Sequence, residues 1–443
     1  MLENLTIELD GVKAIQTILA DLDACFLHGF VGGQHEILAA LPSLFDGMPL
    51  CSRLQTSVQA LAQNTFIEGY FVTLAAARSA LQGTLYDLLR HHALTTLGRS
   101  ATTPTDHLPI SPNQTDPLLD STREWLMELA IAGFARLERE AVTSFYSTLT
   151  QLRANPAMIS HAALLTGFFH ELINALPVKS TTHVPLLRWV DLWSRAMLDA
   201  VGLAKLPIPA TASGALYPLS VELRQHSRFA SLVIYGVLKQ GDVAQWVRQT
   251  WSSFKATAIQ GNEIWLLFPQ AQPLLEHLLQ AKAMNLRDMP ILPSGDLLWD
   301  ANAVESGKKF KPLDIALAYC GIGQALVVSP MPPLERHPIQ LAEPIALTDY
   351  AIQDGQLHLK EGVVLALDAP RAGLTAEDLA GTTALLGLLH YDAGEWSIQP
   401  LLTHNPAGKF EFAGRAGVEL LKKPPKTSTV SILQERASRL LRK

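Results

Sequence analysis

The thiols and imidazoles that stand nearest one another in this chain are Cys25 and His28, three residues apart, with His35 and Cys51 following. Thiolate and imidazole are the donors zinc favours, and four of them would fill a tetrahedral site. The spacing matches no zinc module, however, and Cys25 lies among apolar neighbours. A buried thiol beside loop histidines is the simpler reading, and no metal is expected. His91 and His92 are adjacent. Either could coordinate a metal or serve as a base, but on a helix their side chains diverge by about 100°, so the two do not easily share one ion. The stretch from His170 and Glu171 to Asn174 opens like a zinc-protease helix, but Asn174, a poor zinc ligand, occupies the second histidine's place.

Phosphate and nucleophile motifs fail in similar ways. The run 305–310, Glu-Ser-Gly-Lys-Lys-Phe, lacks the leading glycine and the spacing that wrap a phosphate. Gly321 and Gly323 have no third glycine and no following helix, which argues against a dinucleotide site. There is no Gly-x-Ser-x-Gly elbow. The carboxylates Asp21 with Asp23, and Glu377 with Asp378, read as a solvated helix face and a helix start. Trp189 and Trp193, four apart and flanked by Arg188 and Arg195, allow a ligand platform. A core seam beside a surface ladder from Arg188 through Asp191 to Arg195 is the plainer expectation. No catalytic residue and no cofactor is expected from these patterns.

The elements that would carry such groups divide at 203–218, where three prolines and a Ser-Gly pair cannot continue a helix. Before it, apolar residues recur at three- and four-residue steps. The spacing predicts helices over 11–30 (capped by Asp10 and stopped by Gly29), 34–45, 50–97, 118–152, 159–176 and 185–201. A polar loop spans 98–117. After it, short runs rich in Val, Ile, Trp and Thr alternate with turns. Strands are expected over 219–226 and 229–238, then a turn at 239–242. The segment 243–259 fits strand or helix, with strand preferred. A strand over 263–268 and a helix over 269–286 follow, then an irregular stretch around a strand at 296–299. Two short runs, 313–319 and 324–328, are expected next. A meander spans 345–367, a helical turn 375–380, and a hairpin pairs 385–391 with 396–402. The fold class is therefore α+β: an all-helical N-terminal bundle over 1–202, a linker over 203–218, a β-rich domain of short antiparallel strands over 219–414, and a basic tail over 415–443.

Composition narrows function by exclusion. The 443 residues are 48% hydrophobic and only 17% charged. That leaves wide uncharged surface, which suits domain contacts or a protein partner. No apolar run approaches the roughly 20 residues of a membrane span. The first residues lack the basic start and apolar block of a signal peptide. Three cysteines give no disulfide framework, and a reducing cytoplasm fits them. The net charge of −6 is uneven. Residues 1–205 and 206–414 each carry −6, and residues 415–443 carry +6. The acidic body argues against broad nucleic-acid binding.

The tail holds a Lys- and Pro-rich leash and then a terminal helix. Leu433, Ala437, Leu440 and Leu441 fall on one helical side, and Arg436, Arg439 and Lys443 lie off it, with Arg442 adding charge. Such a helix can dock on its own body, in a partner groove or on an acidic surface. The leading expectation is a non-catalytic interaction or scaffold subunit of a bacterial cytoplasmic assembly. Its partner would be a protein, with an ATPase-type assembly as one candidate, and membrane contact is not expected. Two alternatives stand beside it: an enzyme with an unfamiliar site between the halves, and nucleic-acid contact through the basic tail.

Overall fold

A computed structural model describes residues 2–6, 9–31, 36–100, 116–202, 209–226, 229–360, 362–368, 371, 373–392, 394–404 and 408–441. Most of the 98–117 loop and the 203–208 part of the linker lie outside the described residues. The architecture is α+β, with helices through the first two hundred residues and mostly antiparallel strands in two sheets after them.

The first half comprises α1 (Val12–His28), α2 (Glu36–Ala40), α3 (Pro49–Ala62), α4 (Glu68–Thr96), α5 (Pro117–Ala132), α6 (Arg139–Thr143), α7 (Tyr146–Ala154), α8 (Ile159–Ala175) and α9 (Leu186–Asp199). Its core is aromatic at the centre. Phe26, Phe30, Phe71 and Trp193 lie ring against ring, and the buried Trp193 indole donates to the Leu126 carbonyl at 2.7 Å. The tryptophan pair is thus core, since Trp189 is buried as well.

Two expected long helices are broken. The 118–152 helix stops at Gly133, whose φ is 83°. A Cβ there would sit 2.4 Å from the Gly29 backbone nitrogen, and one on Gly29 would sit 2.5 Å from the Ile131 carbonyl oxygen. Two chain reversals touch backbone to backbone at this point, which only glycine permits. The 50–97 helix is interrupted between α3 and α4, with Asn64 in the left-handed region at φ 55°. At the start of α1, Gly11 rather than Asp10 is the cap, and it makes no side-chain cap bond.

The second half begins inside the stretch expected to be linker. β1 spans Ala210–His226, so the segment from Ala210 through Pro218 is strand. Its register shifts between Pro218 and Ser220, the bulge that lets a proline sit in a paired strand. β1 is followed by β2 (Phe229–Gln240) and β3 (Val243–Phe254), so the strand reading of 243–259 holds as far as Phe254. The expected strand over 263–268 is instead a 3-10 stretch, Gly261–Leu267. Its neighbourhood buries Ile264, Trp265, Phe268 and Ala271, a helical step and not an alternation. Next come α10 (Gln272–Leu279) and β4 (Lys282–Ile291). The expected helix over 269–286 therefore ends early, at Ala281 with φ 48°. β5 (Asp296–Leu297), β6 (Val304–Lys309), α11 (Pro312–Cys320) and β7 (Leu326–Val327) follow. The 313–319 run is helical, with Leu313, Ala316 and Cys320 turned inward.

The first sheet closes on itself. β1 pairs β2, β2 pairs β3, β3 runs parallel to β5, β5 meets β4, and β4 returns to β1. β6 adds to β4 and β7 to β3, so seven strands form one sheet that curls into a barrel, with α10 between β3 and β4. The second sheet is built from β8 (Glu343–Thr348), β9 (Tyr350–Gln353), β10 (Gln356–Leu359), β11 (Val364–Leu367), β12 (Ala384–Asp392), β13 (Glu395–His404) and β14 (Phe410–Phe412). The short helix α12 (Ala376–Leu379) starts at a Thr375–Asp378 capping box. The expected hairpin is the β12–β13 pair. Two helices end the described chain: α13 (Arg415–Lys422) and α14 (Thr429–Leu441). No helix among the described residues is long and apolar enough to cross a membrane.

Candidate functional site

The terminal helix is positioned by a device the composition of the tail concealed. α13 lies on Trp265 through glycine: a Cβ on Gly417 would fall 1.9 Å from the indole, and one on Gly414 would fall 2.8 Å from it. Val418 and Leu421 are buried beside it. After a short polar connection, α14 is pinned at its first turn. Ser428 and Ser431 cap each other, with both backbone-to-hydroxyl distances 3.0 Å, and the Thr429 amide donates to Glu263 at 3.0 Å. These bonds to Thr429 hold the Glu263 carboxyl below its ordinary value. Val430 is buried, and Leu433 packs half-buried on the barrel core.

Beyond that turn the helix leaves the body. Arg436, Ala437 and Arg439 are exposed, and Arg439 pairs with Glu435 at 2.5 Å. The apolar side that begins with Val430 and Leu433 therefore continues onto an uncovered Ala437. Leu440 and Leu441 belong to α14, but their side chains lie outside what is described, as do residues Arg442 and Lys443. The structure thus separates the expected docking set into a seated base and a projecting end. What sequence reading missed is α13. The helical step of Val418 and Leu421 after two glycines was its signal, masked by the neighbouring lysines.

The junction between the halves is closed by buried arginines. α4 runs out of the helical core, and its far end joins the second sheet, where Ala93 and Leu97 pack with Ile345, Leu347 and Leu389. Arg90 donates to Glu343 at 2.8 Å and to the Val328 carbonyl at 2.7 Å. Arg99 donates to the carbonyls of Pro344 and Cys320, each at 2.7 Å. Burial lowers the Arg99 guanidinium from its ordinary value. Deeper in the helical half, Arg78 is fully buried and grips both oxygens of Asp23, at 2.6 and 2.9 Å.

A second group of ionisable side chains lies along α8, α9 and the strap 329–341. Arg195 pairs with Asp191 at 2.9 Å, and His161 lies 3.8 Å from Asp199. His337 accepts from the Ile339 amide at 3.2 Å, and burial lowers its imidazole below the ordinary value. Arg188 pairs with Glu171 and not with Asp191, so the expected ladder is only half formed. Between the sheets, Tyr235 donates to Glu222 at 2.7 Å, and Arg224 donates to the same oxygen at 3.0 Å. Burial works to raise Glu222, but Arg224 and Tyr235 outweigh it and keep the carboxyl below its usual range. His390 lies nearby, bonded to the Leu341 carbonyl at 2.7 Å, and burial lowers its imidazole.

Two small hollows stand out among the described residues. One of about 200 Å³ lies inside the barrel, lined by Leu216, Ile234, Val247, Gln249 and Leu274. The other, about 140 Å³, separates α10 from α13. Neither opens between the halves, and neither contains the His161 or His337 group. Cys25 and Cys320 are buried thiols, each pushed up to about 12 by desolvation. Cys51 is half-buried, and His35 lies outside the described residues. No group of three or more metal-binding side chains is found among the described residues. His91 is exposed, and His92 bonds to the Leu5 carbonyl at 3.3 Å. The chain matches no protein-family model, no curated protein and no solved structure.

Proposed function

We propose that this chain is a non-catalytic protein–protein interaction or scaffold subunit of a bacterial cytoplasmic assembly, and that α14 is its docking element. The observation that carries the reading is the apolar side of α14, seated on the barrel at Val430 and Leu433 and continuing past the body's edge at Ala437. A helix fixed at one end and bare at the other presents a ready-ordered face, which lowers the ordering cost of binding. The arginines beside it favour an apolar groove with an acidic rim, and an ATPase-type assembly is one candidate owner of such a groove.

The test uses the full chain with a photo-crosslinking residue at Ala437, and a companion lacking 434–443 that keeps the capped first turn. A discrete crosslinked partner in the native host, lost from the truncated chain on co-purification, supports the reading. The same partners recovered from both chains would refute it. The enzyme alternative has on its side two separate pairings, His161 beside Asp199 and His337 in the field of Asp191. Its residues are tested by replacing both histidines, once a candidate reaction is in hand.

A further inference from the structure

The run 308–311, Lys-Lys-Phe-Lys, fails as a phosphate loop, but the fold gives it neighbours that the linear sequence does not. Lys309, at the end of β6, stands opposite Lys282 of β4. The Phe310 amide donates to the Ala281 carbonyl at 2.9 Å, which fixes the run against the start of β4. The Phe310 ring meets Tyr217 of β1 edge to face, with centroids 5.2 Å apart. Lys239, at the end of β2, holds its ammonium 5.8 Å from the centre of the Tyr319 ring on α11. Lys308, Lys309 and Lys311 are exposed; Lys239, Lys282 and the three rings are half-buried. Five cations and three aromatic rings, drawn from β1, β2, β4, β6, α11 and the two residues that join the last two, thus share one rim of the barrel.

Acidic groups offset only part of that charge. Asp314 lies 3.7 Å from Lys311, and Lys239 is held first by a hydrogen bond to Tyr319, with Asp242 adding a weaker attraction. Lys422, at the end of α13, lies beside Leu279, three residues before Lys282, so the tail's cations adjoin this rim. The outer face of β2 and β3 is a different place. It is largely covered, with Tyr235 and Trp246 buried and the Ser220 hydroxyl of β1 on the Leu401 carbonyl.

We infer that this rim binds single-stranded nucleic acid, with the lysines on phosphates and the Phe310 ring taking a base. Cations that track a backbone beside rings that accept any base are the two parts of sequence-tolerant single-strand binding. Half-buried rings cannot reach bases stacked inside a duplex, so single strands are preferred. Five lysines less two offsetting acids leave roughly three phosphate contacts, and a logarithmic salt slope of about −2. This site goes beyond the scaffold reading and does not depend on α14.

The experiment is fluorescence anisotropy of the full chain with dye-labelled oligothymidylate, oligouridylate and a mixed duplex, from about 50 to 200 mM salt. Wild-type chain is expected to bind the single strands in preference to the duplex. Lys308→Glu with Lys309→Glu should weaken binding at least about tenfold and flatten the salt slope. Phe310→Ala should weaken it by roughly 5- to 150-fold with the slope unchanged. Each variant's melting is compared with wild type; if Phe310→Ala melts early, Phe310→Leu replaces it. Absence of salt-dependent binding overturns the inference. So does a Phe310 variant that binds normally while heparin competes as well as the oligonucleotide, because that marks a plain polyanion patch. Loss of binding only in Lys422→Glu with Lys423→Glu would move the contact to the tail and overturn it equally.

Discussion

Replacing Arg90 by Met separates a closed junction from a crevice between the halves. Arg90 and Glu343 are 7% and 3% exposed at their side chains and 2.8 Å apart. The methionine leaves the Glu343 carboxylate buried without its cation, and its other oxygen already has no hydrogen-bond partner among the described residues. The Val328 carbonyl loses its 2.7 Å donor in the same step. Removing one partner of a buried pair costs about 3–5 kcal/mol. The orphaned carbonyl places Arg90→Met towards the upper end, since an unmet buried acceptor costs about 1–3 kcal/mol. That is a large share of the roughly 5–15 kcal/mol that holds a domain together. Because the pair joins the halves, calorimetry should show the melt moving down and splitting in two. Limited proteolysis should begin in the 329–341 strap. Arg90→Met with Glu343→Met should recover most of the loss, because two apolar side chains of similar volume leave no unpaired charge. A shift of Arg90→Met below about 1 kcal/mol, or a double variant no better than the single, would refute a closed, charge-paired junction.

Other consequences are equally direct. Gly417→Ala puts a methyl group 1.9 Å from the Trp265 indole, so the tail helices should lift; faster hydrogen exchange over 415–433 with the barrel unchanged is the readout. Gly133→Ala meets the Gly29 backbone at 2.4 Å at φ 83°, and should destabilise the helical half by at least about 1–3 kcal/mol, measured by thermal melting. His390 and His337 are kept neutral by burial, below their ordinary value of 6.5. Acid then protonates the unfolded chain first, so melting temperature should fall as pH drops below about 6.5, and His390→Gln should flatten that fall. Alkylation of the native chain near pH 8 should mark Cys51 alone, and Cys25 and Cys320 should react only after unfolding, because both thiols stay protonated far above that pH.

The class of fold was legible because it rests on local periodicity. α1, α8 and α9 follow from residues recurring at helical steps, and β2, β3 and the β12–β13 hairpin from dense or alternating apolar runs between turns. The errors share a cause. Gly133 and Gly29 look like tolerable helix glycines until two backbones must touch. The apolar run 263–268 reads as strand until Trp265 is needed beneath α13, and residues 282–286 read as helix until β4 is needed to close the barrel. The candidate docking helix was visible as an amphipathic pattern. Which turn of it is seated and which projects was not, because the capping serines and Glu263 lie 165 residues or more apart.

Sequence by itself determined what depends on neighbours along the chain: helices then strands, an acidic body with a basic end, and the failure of each short catalytic motif. Only the tertiary structure decided what depends on contacts between distant residues. It closed the barrel, buried Arg90 and Arg99 in the junction, and brought Lys239, Lys282, Lys309 and Phe310 to one rim. The physical reason is range: backbone torsions and side-chain spacing act over a few residues, whereas burial and charge pairing act between whichever residues the chain's path brings together.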